Sequence, residues 1–230
     1  MNIVVSGGQG GIGKAVVREL SKGRRRRIFS LDIAGGRSKG NVEVRRIDLT
    51  NHEETAALIG NLCKKYGQIG VLINCVGYYG VGDCRTFSAE EWRKNLSVNA
   101  EAPALLAVEC SKHMPNGGKI INVTSAAAYL GSRDIGYSAA KAALAGATKS
   151  LALNLACRGI DVLNVAPGIV DTQMSRRMPE KRRLNHVKKL LSGRSGKPKE
   201  IASIIRYLVE ADTTYLRGST IHINGGEYLQ

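Results

Sequence analysis

Residues 2–22, NIVVSGGQGGIGKAVVRELSK, decide the fold. NIVVS at 2–6 is an apolar run of strand length, residues 11–22 carry a helical pattern, and the glycine-rich SGGQGGIG joins them. Strand, glycine loop and helix in that order are the context a dinucleotide fingerprint requires. The glycines permit a tight turn and close approach of the backbone, and the amides at the helix N-terminus face a pyrophosphate.

The rest of the chain repeats this alternation. Strands are expected at 26–32, 42–47, 70–74, 118–124, 159–166 and 219–224, helices at 51–66, 136–157, 173–192 and 198–209, and one or two helices over 88–113, irregular near Ala102 and Pro103. Thr50 with Glu53, and Ser88 with Glu91, have capping-box spacing, and Pro103 disfavours helical geometry at Ala102. Strands separated by helices pair in parallel through right-handed crossovers and bind ligands at their carboxyl ends. The expected fold is therefore a single-domain α/β, doubly wound parallel sheet of about seven strands with helices on both faces. Ser6, Asp32, Asn74, Ser125 and Pro167 fall at strand ends. An acid such as Asp32 at the tip of the second strand accepts hydrogen bonds from the adenosine ribose hydroxyls and repels a 2′-phosphate, favouring NAD over NADP. Arg37 and Lys39 lie just beyond it and could meet a phosphate.

Composition bounds the partners. The 230 residues suffice for one well-buried domain. The five cysteines are scattered without a CxxC and the four histidines lie far apart, so no disulfide framework or metal site is indicated. No signal peptide is expected, no apolar run in the sequence reaches membrane-spanning length, and a reducing, cytoplasmic setting is expected. The net charge of +15 resides in two windows: 24–46 with eight basic and two acidic residues, and 174–199 with ten and one. Such charge suits nucleic acid, an anionic membrane or an anionic substrate, or is simply a solvated surface.

Tyr137 and Lys141 are four apart on the expected helix 136–157 and share a face. A cation near a phenol favours the phenolate, so the pair is suited to moving a proton to or from an alcohol oxygen, although the spacing is also that of an ordinary helix-surface pair.

From residue 2 to about 226 the motifs together resemble the short-chain dehydrogenase/reductase family. SGGQGGIG resembles its cofactor loop TGxxxGIG, and NCVG at 74–77 resembles NNAG. Asn99 in NLSVNA resembles the helix asparagine, and Ser125 in INVTSAAA the catalytic serine. YSAAK at 137–141 matches YxxxK, PGIVDT at 167–172 matches PGxVxT, and INGG at 223–226 resembles the terminal DGG. The resemblance implies reversible hydride transfer between a nicotinamide and an alcohol or ketone carbon. Tyr137 would then be the general acid or base, and Lys141 would hold the nicotinamide ribose and lower the tyrosine pKa. Ser125 would stabilise the substrate oxygen, and Asn99 would bind a water that links Lys141 to solvent. Cofactor contacts implied are Ser6, Gly7, Gln9, Gly11, Ile12, Gly13, Asp32, Asn74, Gly77, Tyr137, Lys141, Pro167, Gly168, Val170 and Thr172, with Asp48 and Leu49 at the adenine. The resemblance also implies a homo-oligomer, a dimer or tetramer.

Eleven residues separate Ser125 from Tyr137, one fewer than is usual, and Thr124 stands at the usual separation. Cys75 replaces the second asparagine of NNAG, and Asn224 the terminal aspartate. The basic segment 174–199 lies where the family places its substrate lid, so an anionic or carrier-linked substrate is expected. A 3-oxoacyl thioester reductase fits the overall pattern, but such enzymes usually prefer NADP, which Asp32 disfavours. From another class, a nucleotide-sensing or nucleic-acid-binding protein would use Arg24–Arg27 and the 176–189 cluster as phosphate contacts. Two Phe and one Trp are a poor stacking platform for that role.

Overall fold

A computed structural model describes residues 1–229 except Arg24 and Val81. The Arg24 reading above therefore lies outside the described residues. β1 (Asn2–Ser6), α1 (Gly11–Leu20), β2 (Arg27–Asp32), β3 (Val42–Arg46), α2 (His52–Tyr66) and β4 (Ile69–Asn74) form the first half. They are followed by α3 (Ala89–Leu96), a π-helical turn at Ser97–Glu101, α4 (Ala102–Lys112), β5 (Lys119–Val123) and the short α5 (Ala127–Leu130). α6 (Ile135–Leu155), β6 (Asp161–Pro167), α7 (Gln173–Arg176), α8 (Glu180–Val187), α9 (Pro198–Glu210) and β7 (Thr220–Ile223) complete the chain.

All seven strands are parallel, in the order β3-β2-β1-β4-β5-β6-β7, as the alternation of elements predicts. Alternate strand residues serve two apolar layers, because successive side chains point to opposite faces. Ile3 and Val5 pack with Val16 and Leu20 of α1 and Ile201 and Ile205 of α9. Val4, Leu72 and Ile120 pack with Ile59 of α2 and Leu106 and Cys110 of α4. The order reverses between β1 and β4, which opens a crevice beyond their carboxyl ends.

Near those ends one row of the sheet is polar. Ser6, Asn74, Asn122, Asn164 and Thr220 are register partners on five neighbouring strands. Ser6 Oγ donates to Asn74 Oδ1 at 2.9 Å, and Asn74 Nδ2 donates to Asn122 Oδ1 at 2.8 Å and to the Pro103 carbonyl at 2.9 Å. Asn122 passes the chain to Thr148 of α6 at 2.8 Å, and the Thr148 hydroxyl meets Asn164 Oδ1 at 2.7 Å. Every member has a partner, which is what makes a buried polar row tolerable in a low-dielectric interior.

Two local expectations are corrected, and the irregularity expected near Ala102 takes a specific form. Asn51, not Thr50, caps α2 by accepting from the Glu54 amide, because the Thr50 hydroxyl is drawn back to Asp48 at 2.7 Å. The break in helix 88–113 is the π turn one step before Ala102: Pro103 has no N–H to offer the carbonyl four residues earlier, and the ladder widens instead. The expected helix 173–192 is two short helices, interrupted at Pro179.

Candidate active site

Segments leaving β4, β5 and β6 wall a cavity of about 1200 Å³ at the crevice. Ile12 enters it from the first turn of α1, Gly77 from just past β4, Ser125 from just past β5, and Tyr137 and Lys141 from α6. Pro167, Gly168, Val170 and Thr172 line it after β6, and Met174 through Lys189 close over it.

α6 starts at Asp134, whose Oδ1 accepts from the Tyr137 amide at 3.0 Å, so the cap fixes the turn that aims Tyr137 into the cavity. Lys141 follows one turn later, only 3% exposed, and its Nζ donates to the Val123 carbonyl at 2.9 Å. Burial pushes the Tyr137 phenol up to about 12, with the Ser125 hydroxyl pulling weakly the other way. Burial likewise draws the Lys141 ammonium down to about 8. The expected acidification of the phenol by the amine is therefore corrected. Nζ stands 6.0 Å from the centre of the Tyr137 ring and is directed at a backbone carbonyl, while desolvation acts on both groups.

Despite the short spacing, Ser125 and Tyr137 line the same cavity, and Thr124 is otherwise engaged. Its Oγ1 donates to the Val165 carbonyl at 3.1 Å inside the sheet. Ser125 Oγ accepts from the Ala127 amide at 3.1 Å and lines the cavity. Asn99 sits in the π turn, fully buried, behind the cavity wall. Its Oδ1 accepts from the Tyr78 amide at 2.9 Å, and its Nδ2 donates to the Tyr78 carbonyl at 2.8 Å and to Asn95 at 3.1 Å. Asn99 thus pins the loop after β4 as well as standing behind Lys141.

The remaining predicted residues form the other half of the crevice. Gly7 has φ +64°, and a Cβ there would meet the Val76 amide at 2.7 Å, so only glycine admits this approach of two backbones. A Cβ on Gly77 would stand 3.3 Å from Asn99 Oδ1 and 3.7 Å from Lys141 Nζ. Asp32 is held at the β2 tip by the Gln9 amide at 2.9 Å and the Ala34 amide at 3.0 Å. Asp48 is exposed and Leu49 buried just past β3. Ser6 and Asn74 turn their side chains into the polar row, so only their backbones are available to a ligand. Lys39 bridges Val42 at the start of β3, opposite the ligand end; the cation in register with Asp32 is Arg46.

Sequence reasoning missed Tyr79 and Arg182. Tyr79 is buried with its ring edge-on to Tyr137, centroids 5.1 Å apart, and its hydroxyl accepts from Arg182 Nη2 at 2.8 Å. The pair YY directly after a strand end was a usable signal for Tyr79. Nothing in spacing distinguishes Arg182 among the ten basic residues of its segment.

Comparison with known proteins agrees with this geometry. A family model described as Enoyl-(Acyl carrier protein) reductase matches residues 9–227. 3-Oxoacyl-[acyl-carrier-protein] reductase FabG of Rickettsia felis is 33% identical over 232 residues, covering 97% of this chain and 95% of its own length. The chain belongs to the short-chain dehydrogenase/reductase family. FabG of Vibrio cholerae is 30% identical over 239 residues, covering 98% of this chain and 96% of its own. Among solved short-chain dehydrogenase/reductase structures, the glucose/ribitol dehydrogenase of Brucella melitensis superposes with a TM-score of 0.91 at 25% identity, covering 100% of this chain and 97% of its own. Aldohexose dehydrogenase of Thermoplasma acidophilum gives 0.89 at 25%, covering 98% and 93%.

Membership makes this short-chain dehydrogenase/reductase an oxidoreductase that works with a nicotinamide cofactor, and leaves the regulator reading without support. The residues present fit such a cofactor. α1 opens at Gly10 with no side-chain cap on its amides, Gly7 and Gly77 leave room where side chains would intrude, and an anchored carboxylate stands at the β2 tip.

Proposed function

We propose that this enzyme interconverts a ketone and a secondary alcohol, with Tyr137 giving the proton in reduction and taking it in oxidation. A bound nicotinamide supplies or accepts the hydride. The observation that carries the reading is that the Tyr137 phenol and the Ser125 hydroxyl line one cavity, with burial making the phenol hold its proton more tightly than a free one. Ser125 donates to the carbonyl oxygen and stabilises negative charge as it develops, a role that needs a fixed donor in a dry site. Lys141 holds the nicotinamide ribose, and Asn99 keeps the loop beside it in place while returning protons through water.

NAD is the preferred cofactor on the strength of Asp32. Two backbone amides fix its carboxylate, so it cannot swing away from a 2′-phosphate. The substrate is anionic or carrier-linked: the cavity roof carries Lys181, Arg182, Lys188 and Lys189. Reduction of a 3-oxoacyl thioester is the second reading, favoured by the two relatives named for that activity. A reducing compartment suits the five free cysteines, and no helix among the described residues is long and apolar enough to cross a membrane. A homo-oligomer is also proposed.

The test is a panel of ketones, oxo acids and 3-oxoacyl thioesters, followed at the reduced-nicotinamide absorbance with NADH and NADPH in parallel. Tyr137→Phe abolishes turnover but keeps cofactor binding, measured by fluorescence titration. Turnover surviving in that variant would remove Tyr137 from the chemistry.

A further inference from the structure

Arg182 projects from α8, and its Nη2 donates to the Tyr79 hydroxyl at 2.8 Å. The Tyr79 ring stands edge-on to Tyr137 at an interplanar angle of 84°. A guanidinium is thus two contacts from the proton-transferring phenol, in the wall of the same cavity. We propose that Arg182, held by Tyr79, is a specificity-determining residue that selects ketones bearing a carboxylate on their own short skeleton. The inference rests on the ketone-reductase reading and names its substrate class.

The hydrogen-bonding of Arg182 leaves it free for this task. It spends one N–H on a neutral phenol and has no ion-pair partner among the described residues. Its remaining fork can engage a carboxylate in the two-point geometry that a guanidinium favours. Of the two acids lining the same cavity, Asp83 is paired with Arg85 at 2.7 Å, and Glu227 lies 2.6 Å from His186 Nε2. Arg133, Lys181, Lys188 and Lys189 line the cavity too, so the surrounding field attracts an anion without holding it at one point.

Position separates Arg182 from those other cations. Lys181, Lys188 and Lys189 are exposed, whereas Arg182 is half-buried and tethered. A side chain already held by a buried tyrosine loses less freedom on binding than a free one. Its nearness to Tyr137 places the selected anion a few bonds from the reacting carbon. The phosphate of a carrier arm stands far from the carbonyl and would reach only the exposed lysines.

The experiment compares kcat/KM for acetoacetate, its methyl ester and acetoacetyl-CoA with NADH, at low salt. Wild type favours the acid over the ester by about tenfold or more, the scale of a charged hydrogen bond. Arg182→Gln brings that ratio close to one, Arg182→Lys restores part of it, and Tyr79→Phe lowers it by raising KM for the acid. Lys64→Gln, an equal loss of charge on an exposed site of α2, leaves it as in wild type. An unchanged ratio in Arg182→Gln overturns the inference. So does an equal fall for acid, ester and thioester, which would give Arg182 a structural role only. If wild type reduces no ketone in the panel, the proposed function itself fails, and the inference with it.

Discussion

Lys141 Nζ donates to the carbonyl of Val123 at 2.9 Å, so the buried ammonium of α6 is satisfied by the last residue of β5. One hydrogen bond to a neutral carbonyl does not offset the loss of water, which is why its pKa falls to about 8.

Stability should record this. Between about pH 8 and 10.5 the unfolded chain still holds a proton that the folded lysine has released, so folding is favoured as pH rises through that window. Tyr137 acts in the opposite sense. From pH 10 to about 12 the folded phenol keeps a proton that the unfolded one has lost, and stability falls with pH. Urea midpoints at pH 7.5 and 9.5 should rise more in wild type than in Lys141→Met; parallel midpoints would mean that the ammonium is not desolvated.

The two neighbouring hydroxyls divide their roles. Ser125→Ala should lower kcat by about a hundredfold, the effect of removing one donor to a developing oxyanion. Thr124→Val loses a bond to Val165 inside the sheet. It should cost about 1–2 kcal/mol of stability and change kcat less than about threefold. A larger kcat loss in the threonine variant would reverse the assignment.

Asn74 is fully engaged in the polar row, accepting from Ser6 and donating to Pro103 and Asn122. Asn74→Leu strands several buried partners at once and should destabilise by about 3 kcal/mol or more in urea unfolding. A cost below about 1 kcal/mol would show that the row contributes little.

Asp32→Asn removes the charge opposing a 2′-phosphate and leaves Arg46 in register beside it. The ratio of kcat/KM for NADPH over NADH should rise by about tenfold or more. A ratio that does not move would place cofactor choice elsewhere in the loop.

Much of this was legible from residues 2–22 and from the order of the later motifs, because alternation of apolar strands with helices leaves few topologies open. The position of the candidate site was legible for the same reason: strand ends are fixed by the sheet, and Gly77, Ser125 and Pro167 lie at or just beyond them. What escaped depends on distance through space. Thr50 and Asn51 are both good caps by type, and only the pull of Asp48 on Thr50 separates them. Whether Lys141 acidifies Tyr137 depends on where Nζ points and how dry the site is, neither of which i,i+4 spacing encodes. Tyr79 and Arg182 are 103 residues apart, and their bond exists only once the segment after β6 has folded back over the loop after β4.

The π turn at Ser97–Glu101 has one further implication. An α-helix advances about 100° per residue, so one extra residue in a wide turn rotates everything before it relative to everything after. The phase slip lets α3 present Glu91 to the Tyr78 loop and Asn95 to Asn99, while α4 presents Leu106 and Cys110 to the sheet. Deleting a single residue here would restore a regular helix and swing Asn99 off the loop it clamps. The irregular turn thus acts as an angular spacer between the two faces.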